Sequence, residues 1–598
     1  MITVYLDFES YFDKDYSLKN MSTIEYVLDP RWETLGCSVA VEDEEAQYLS
    51  HDEFEEWLKT INWSDALMVA HNNIFDGTVL TQRYNTYPAK YACTQAEARA
   101  ILPVDSTSLA RVSKALGIGE KGNALKAGSH EVTKDLADYA NNDLELCRRI
   151  HKLLYPFIPE RERELISLTI RLAVEPSIEL DKALLEESLQ QEVETRQRVI
   201  RSSGVDEQVL TSNLQFAKLL RGMGLTPPTK ISPATGEETE AFAKGDAEFQ
   251  AFMAEYPEYK HIFEARLAAK SNIKIRRAER LLRIANLPSR LPVPLRYFGA
   301  HTGRWSGTDG INLQNLPQQH RSPLRRALRA PKGYLIGAGD SAQIELRTNL
   351  WFSGQLDKLD ILRNGGDIYK ADASDFFGIA EDEVSSMQRQ FGKVRQLGLG
   401  FGMGHQKFRY YCASGPLGMD PIKLSVADAY MAVHGYRAAH DRVVQSWKMM
   451  GELIPVMTLE SAEVCHGPIR VIHEAIELPN GMSLLYPGLQ AVENGGWEYG
   501  VDKKVKYLYP SYLQQNVVQA LARIIVSDQM LEIDTWLQGQ DPQARVVGMT
   551  HDEVIFIAPE WLAEETERKV LEIMSTAPSW AETLPLSAEV KLAEYYSK

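Results

Sequence analysis

Asp7 and Glu9 stand one residue apart in the segment MITVYLDFE, where Ile2, Val4, Leu6 and Phe8 alternate with Thr3, Tyr5, Asp7 and Glu9. A period of two places both carboxylates on one face of a strand. Two acids that close repel each other unless a cation sits between them. Asp76 follows an apolar run at 66–70 and a turn, near the start of a helix. Asp143 lies four residues after Tyr139 in DLADYANNDLELCRR, so these two share a helix face. Any one of these acids alone reads as a solvated surface group. Together, four acids on three elements make an oxygen-rich pocket for two hard divalent ions, Mg2+ or Mn2+. Such a pair activates a water and stabilises the leaving oxygen of a phosphodiester.

A second acidic set lies towards the other end. YLIGAGDSAQIELR reads as a buried strand (334–338) that delivers Asp340 at its end and then enters a helix. VVGMTHDEVIFIA reads as a tight hairpin with Thr550, His551, Asp552 and Glu553 at the turn. If these strands pair, Asp340 and Asp552 converge in the geometry of a two-metal phosphoryl-transfer site. Between them, Arg389, Lys393, Leu397 and Phe401 recur every four residues along one slowly drifting helix face. Two cations a turn apart there suit a triphosphate, with an aromatic ring beyond for a base to stack on. Glycines at 398, 400, 402 and 404 weaken that helix, so it ends or bends there. The glycine run follows a helix rather than a strand, which excludes a dinucleotide-binding loop.

The elements that must position these groups form two regimes. Residues 1 to about 155 alternate strand and helix, an α/β pattern. A polar helical stretch runs from about 160 to 285 and is interrupted by GMGLTPPTKISPATGEE at 222–238, which reads as a loop. Beyond about 290, strand-like runs alternate with long helical periods. The boundary falls near 155–175.

The chain has 598 residues, 44% hydrophobic and 25% charged, enough for a sizeable core in two or three large domains. No run of 18 apolar residues predicts a membrane span, and the N-terminus lacks the pattern of a secretory signal. Five dispersed cysteines with no C-x-x-C pair suggest neither zinc nor disulfides, and fit a reducing, cytoplasmic setting. The net charge of −17 argues against bulk coating of nucleic acid. Two local basic tracts run the other way. KSNIKIRRAERLLR at 270–283 carries six Lys/Arg and one Glu, and 321–332 carries Arg321, Arg325, Arg326, Arg329 and Lys332 with no acid. Basic tracts on an acidic body suit a groove that grips a phosphate backbone.

The N-terminal motifs resemble the DEDD 3′–5′ exonucleases of the subtype with a tyrosine in the third motif. Asp7 and Glu9 match the first motif, Asn72-Asn73-Ile74-Phe75-Asp76 the second and Tyr139-Ala140-Asn141-Asn142-Asp143 the third. The resemblance implies a ribonuclease-H-like α/β domain over 1–160. Asp7, Glu9, Asp76 and Asp143 would bind metal, Tyr139 would orient the attacking water and Asn72 would hold the site. The second set resembles the family A DNA polymerases (the DNA polymerase I family), in particular compact phage forms. Asp340 to Arg347, including Gln343 and Glu345, matches motif A; Arg389 and Lys393 with Phe401-Gly402 match motif B; His551-Asp552-Glu553 matches motif C. Thr302-Gly303-Arg304-Trp305-Ser306 and Asn312 to Pro317 match the segment that contacts primer and template.

This second resemblance implies an α+β right-hand polymerase domain over 161–598: thumb at about 175–290, palm at about 291–360 and 485–598, fingers at about 361–484. An exonuclease followed by a polymerase, with no 5′-nuclease domain, is the arrangement implied. Asp340 and Asp552 would carry two Mg2+ ions, with Mn2+ able to substitute. Arg389 and Lys393 would hold the β- and γ-phosphates of a dNTP, with Lys393 protonating the leaving pyrophosphate. Phe401 would pack near the templating base, and Glu345, next to Gln343 on the substrate side, would exclude a ribose 2′-OH. Arg304 would read the primer-terminal pair, with Gln519 and Asn516 as partners. His551 and Glu553 would support the primer end. Two positions depart from the pattern: Leu397 replaces an aromatic, and Tyr369 stands where a phosphate-contacting histidine is common. The implied enzyme is monomeric and acts on a primed DNA template, without a membrane. The residues name no helicase, primase, single-strand-binding protein or processivity factor. A single-subunit RNA polymerase is opposed by Glu345 and Glu553, and a catalytically dead DNA-binding scaffold by the intact acids.

Overall fold

A computed structural model describes residues 1–122, 128–232, 236–316, 323–416, 419, 421–461, 463–493, 495–501 and 504–597. The chain divides into two compact units, one built from 1–181, 283–359 and 445–598, the other from 182–282 and 360–444. Residues 445–484, expected with the fingers, belong to the first unit.

In the first unit, β1 (Ile2–Ser10), β2 (Thr34–Val41), β3 (Gln47–Leu49), β4 (Ala66–Ala70) and β5 (Lys90–Cys93) form a sheet in the order β3-β2-β1-β4-β5. β1 runs antiparallel to β2 and parallel to β4, and β4 is parallel to β5. The interior strand β4, ALMVA, is buried along its length, as a parallel strand covered on both faces must be. On β1 the predicted alternation holds at the end that matters: Leu6 and Phe8 are buried, while Asp7 and Glu9 are only partly covered.

Helix α1 (Ile74–Tyr84) leaves β4, and α2 (Lys134–Leu154) is capped by Thr133, whose side chain accepts the N–H of Leu136. α2 buries Leu136, Ala140, Asp143, Leu144, Cys147, Ile150 and Leu154, a stripe with helical spacing that packs on the sheet. The next helix, α3 (Glu160–Val174), is anchored by a buried ion pair. Glu162 accepts hydrogen bonds from Arg523 of the long helix Pro510–Gln540, from the Tyr297 hydroxyl, and from Asn480 Nδ2 at 2.7 Å. The Arg523 guanidinium also lies 4.6 Å from the Trp305 ring centroid.

A second sheet in this unit is antiparallel throughout. It comprises β6 (Tyr334–Ser341), β7 (Arg545–Thr550), β8 (Glu553–Pro559) and β9 (Ala588–Ala593), in the order β7-β8-β6-β9. Gly339 of β6 has no room for a side chain: a Cβ there would meet Met574 Sδ at 2.6 Å, so the glycine lets the helix Ala563–Ser575 lie against the strand. β6 runs into α4 (Ile344–Phe352).

In the second unit, residues 182–282 pack around Phe216, Phe242, Phe249, Phe252 and Phe263. The segment expected as a loop at 222–238 instead contributes the strand Thr229–Ile231, paired antiparallel with Glu238–Glu240. Its Pro and Gly residues flank these strands rather than forbid them; residues 233–235 lie outside the described ones. Residues 360–444 include α5 (Ile368–Phe377) and α6 (Ser386–Leu399). α6 begins at Ser385, whose side chain accepts the N–H of Gln388, and ends inside the glycine run as expected. A Cβ on Gly392 would overlap the backbone carbonyl of Tyr369, so that glycine permits α5 and α6 to cross closely.

Candidate active sites

The first acidic pocket forms over the C-terminal half of β1, the middle strand of the first sheet. The Phe8 N–H donates to Asp76 Oδ1 at 3.0 Å, which brings α1 against β1 between Asp7 and Glu9. The residue that holds this corner is Asn73 rather than Asn72. Asn73 is buried and its Nδ2 donates to the carbonyls of Met68 at 3.1 Å and Ala92 at 2.7 Å, joining β4 to β5. Asn72 is exposed and takes a left-handed φ of 66°, turning the chain from strand to helix. Asp143 faces the same pocket from α2; its Oδ2 lies 2.7 Å from the Lys121 ammonium, and its Oδ1 is buried without a hydrogen-bond partner. Lys121 Nζ also sits 5.4 Å from the centroid of the half-buried Tyr139 ring.

The electrostatics follow from this crowding. Burial, then repulsion by Glu9, Asp76 and Asp143, holds Asp7 well above the usual carboxylate range. Burial and the neighbouring Asp143 push Glu9 up to about 8. Burial raises Asp76 to about 7 even though the Phe8 N–H favours its charged form. Excess negative charge and an orphaned carboxylate oxygen fit a site for divalent cations.

The second pair of acids converges as its strand ends predict. β6 and β8 align Asp340 with Glu553, and the Ser341 N–H donates to the Asp552 carbonyl at 3.1 Å. Asp552 occupies the turn between β7 and β8, beside His551, which is exposed and left-handed at φ 59°. Burial first, and Asp340 second, raise Asp552 to about 6. Glu553 is buried and accepts from Thr550 Oγ1 at 3.2 Å and from the Tyr596 hydroxyl, so it braces the turn from behind. Gln343 adopts φ 55° at the cap of α4, and Glu345 sits in that helix's first turn. Glu345 is ion-paired with Arg304, so the two residues expected to meet nucleotide and primer hold each other in this state. Gln314, His551, Asp552, Arg304 and Trp305 line one small cavity. Of the two partners expected for Arg304, Gln519 is half-buried, while Asn516 is buried and donates to the Tyr486 hydroxyl at 3.2 Å. Asn516 is therefore part of the core. Pro317 lies outside the described residues.

The second unit carries the cationic helix face. Arg389 Nε pairs with Asp367 Oδ2 at 2.6 Å, and its guanidinium lies 5.5 Å from the ring centroid of Tyr369. Tyr369 is only 5% exposed. Lys393 and Leu397 follow on α6, half-buried, and Phe401 falls in the turn after the helix ends. The other expected phosphate-gripping tract is only partly exposed, at Arg326 and Lys332. Arg325 is buried against the Tyr596 ring, and Arg329 pairs with Asp181 at 3.5 Å and Glu594 at 3.0 Å; Arg321 lies outside the described residues. On the helix Ile273–Ala285, Arg276 is exposed, Lys274 is exposed and pairs with Glu192 at 3.4 Å, and Arg283 pairs with Glu25 at 2.6 Å.

Among the described residues, no three His, Cys, Asp or Glu side chains are gathered closely enough to cage a metal ion. In the first pocket Lys121 occupies Asp143. In the second, two carboxylates are what Mg2+ commonly takes from a protein when substrate phosphates and water complete its shell.

The family model described as DNA polymerase family A matches residues 181–445. That stretch, less than half of the chain, is similar to DNA polymerase family A. The chain is also 24% identical to the DNA polymerase of Bacillus phage SP02, with all of both proteins aligned. It is 26% identical to DNA polymerase I of Pseudomonas aeruginosa, over 76% of this chain and 46% of that protein. It is 28% identical to the thermostable DNA polymerase I of Thermus aquaticus, over 49% of this chain and 31% of that protein. The chain thus spans the phage relative fully and less than half of these bacterial ones. Its fold is similar to the POL domain of Pol1 from M. smegmatis, solved in complex with DNA primer-template and dNTP. The TM-score is 0.69 at 17% identity, covering 100% of this chain and 95% of that one. The matched segment includes Arg304, Asp340, Glu345, Arg389 and Lys393, and stops before Asp552. No helix among the described residues is long and apolar enough to cross a membrane.

Proposed function

We propose that the chain is a DNA-templated DNA polymerase that extends a primer 3′ end with dNTPs and carries a proofreading 3′–5′ exonuclease, in the manner of a phage replicative enzyme. The observation that carries the reading is the β6–β8 register, which sets the aspartate of a family A motif beside Asp552. Asp340 and Asp552 would hold two Mg2+ ions, which supply Lewis-acid stabilisation of the charge that develops at the reacting phosphate. Arg389 and Lys393 on α6 bind the triphosphate and favour departure of pyrophosphate, Lys393 by donating a proton. Glu345 closes the space beside the sugar, and Arg304 leaves it for the primer-terminal pair when DNA binds. Asp7, Glu9, Asp76 and Asp143 would hold the ions of the hydrolytic site, where Tyr139 orients the attacking water. The mixed α/β sheet under these four acids supports the ribonuclease-H-like reading.

The test separates the two chemistries on one labelled primer with Mg2+. Wild type extends it with dNTPs and degrades it without them. Asp552→Ala should abolish extension and keep degradation, and Asp7→Ala with Glu9→Ala should do the reverse. Undiminished extension by Asp552→Ala refutes the polymerase site, and undiminished degradation by the double variant refutes the hydrolytic one.

A further inference from the structure

Among the described residues, the hydrolytic pocket contains one positive side chain, and it comes from outside every acidic motif. Lys121 follows the helix Leu109–Leu116 in the chain and reaches Asp143 Oδ2 at 2.7 Å while lying against Tyr139. Its side chain is one-third exposed, whereas that of Asp143 is 4% exposed. Thus a solvent-reachable ammonium plugs a buried carboxylate. Gly122 next to it leaves the ring of Tyr139 unobstructed, since a Cβ there would touch Tyr139 Cδ2 at 3.0 Å. The other oxygen of Asp143 is buried and has no partner, so the lysine satisfies only half of that group.

We propose that Lys121 is a tethered cation that competes with divalent metal for Asp143: it neutralises the carboxylate when the pocket holds no ion and withdraws when one binds. This inference rests on the reading of Asp7, Glu9, Asp76 and Asp143 as metal ligands. One ammonium cannot balance four carboxylates, so the pocket keeps its attraction for a doubly charged ion. An incoming ion must nevertheless break a charge-assisted hydrogen bond before both oxygens of Asp143 are free to ligate. The same displacement uncovers Tyr139, so metal loading and exposure of the water-orienting hydroxyl become one event. The lysine thereby makes the hydrolytic site weaker for metal than its acids alone would be, and leaves it shut at low metal.

The test is direct Mn2+ binding to the full-length chain, read as free Mn2+ by electron paramagnetic resonance. Asp7→Asn with Glu9→Gln identifies the sites that belong to this pocket as those it loses. Lys121→Met should tighten those sites by about tenfold, the worth of one charge-assisted hydrogen bond. Lys121→Arg, which keeps the charge, should bind close to wild type. Thermal unfolding supplies a second reading: Lys121→Met should melt lower than wild type in EDTA and gain more from Mn2+. A merely structural lysine predicts a lower melting temperature with unchanged or weaker Mn2+ binding, and that result overturns the proposal. Loss of no Mn2+ class in Asp7→Asn with Glu9→Gln overturns instead the metal-pocket reading on which it stands.

Discussion

Burial raises Asp76 to about 7, and burial with the neighbouring Asp143 raises Glu9 to about 8. In the unfolded chain such groups ionise near about 4. The folded pocket therefore binds more protons than the unfolded chain between those values. Its contribution to stability is complete below about pH 4 and is lost as the pH rises through the folded values. The melting temperature of wild type in EDTA should thus fall between pH 4 and 8 more than that of Asp7→Asn with Glu9→Gln, and Mg2+ should remove the difference. Parallel melting profiles in EDTA contradict the crowded pocket. At the other site, the Arg304–Glu345 pair makes a separate prediction. Glu345→Ala both opens space beside the sugar and frees the guanidinium. Discrimination of dNTP over rNTP, measured as a ratio of kcat/KM values, should drop by at least about tenfold, the range a steric contact supplies.

The anchoring of α3 is the element-scale test. Glu162 and Arg523 are both buried, and Arg523 stacks on Trp305, the residue after Arg304. Glu162→Ala leaves a buried guanidinium uncompensated and should cost about 3–5 kcal/mol, whereas replacing both partners by apolar residues should cost much less. The shift of the urea midpoint in the single and double variants distinguishes these outcomes. The elements themselves differ in how far they could be read from sequence. Asp7 and Glu9 declared their shared face because period two is local, and Asp340 and Asp552 each declared a strand end. The register that joins Asp340 to Glu553 is not local, and only packing decides it. Asn72 and Asn73 are adjacent and chemically alike, so spacing could not say which one turns inward. Lys121 belongs to no periodic element, and Tyr596 reaches Glu553 from the far end of the chain; neither leaves a local signal. The Pro-rich segment at 222–238 misled because turn residues announce the ends of short strands as readily as a loop.

At the scale of the molecule, an acidic chain of net charge −17 must bind a polyanion through a confined basic surface. Of the two tracts that suggested it, 321–332 has Arg325 buried and Arg329 in ion pairs, which makes the helix Ile273–Ala285 the first to test. Affinity for primed DNA should fall steeply with salt, and Lys274→Ala or Arg276→Ala should each reduce the log–log slope by about one if that side chain meets a phosphate. Unchanged slopes in both variants would place the DNA elsewhere. The second sheet has a further consequence. β6 spans Tyr334–Ser341, but its two neighbours are Glu553–Pro559 and Ala588–Ala593, whereas the strands of the first sheet all lie before Thr94. During synthesis on the ribosome the first sheet can close early, while nascent β6 waits with both edges bare until residues 553–559 and 588–593 have been made. An open apolar strand of that kind invites wrong pairing. The edges of β6 must therefore be sheltered while residues 342–552 are made, and a chain cut before Glu553 would hold every strand of the first sheet and no partner for β6.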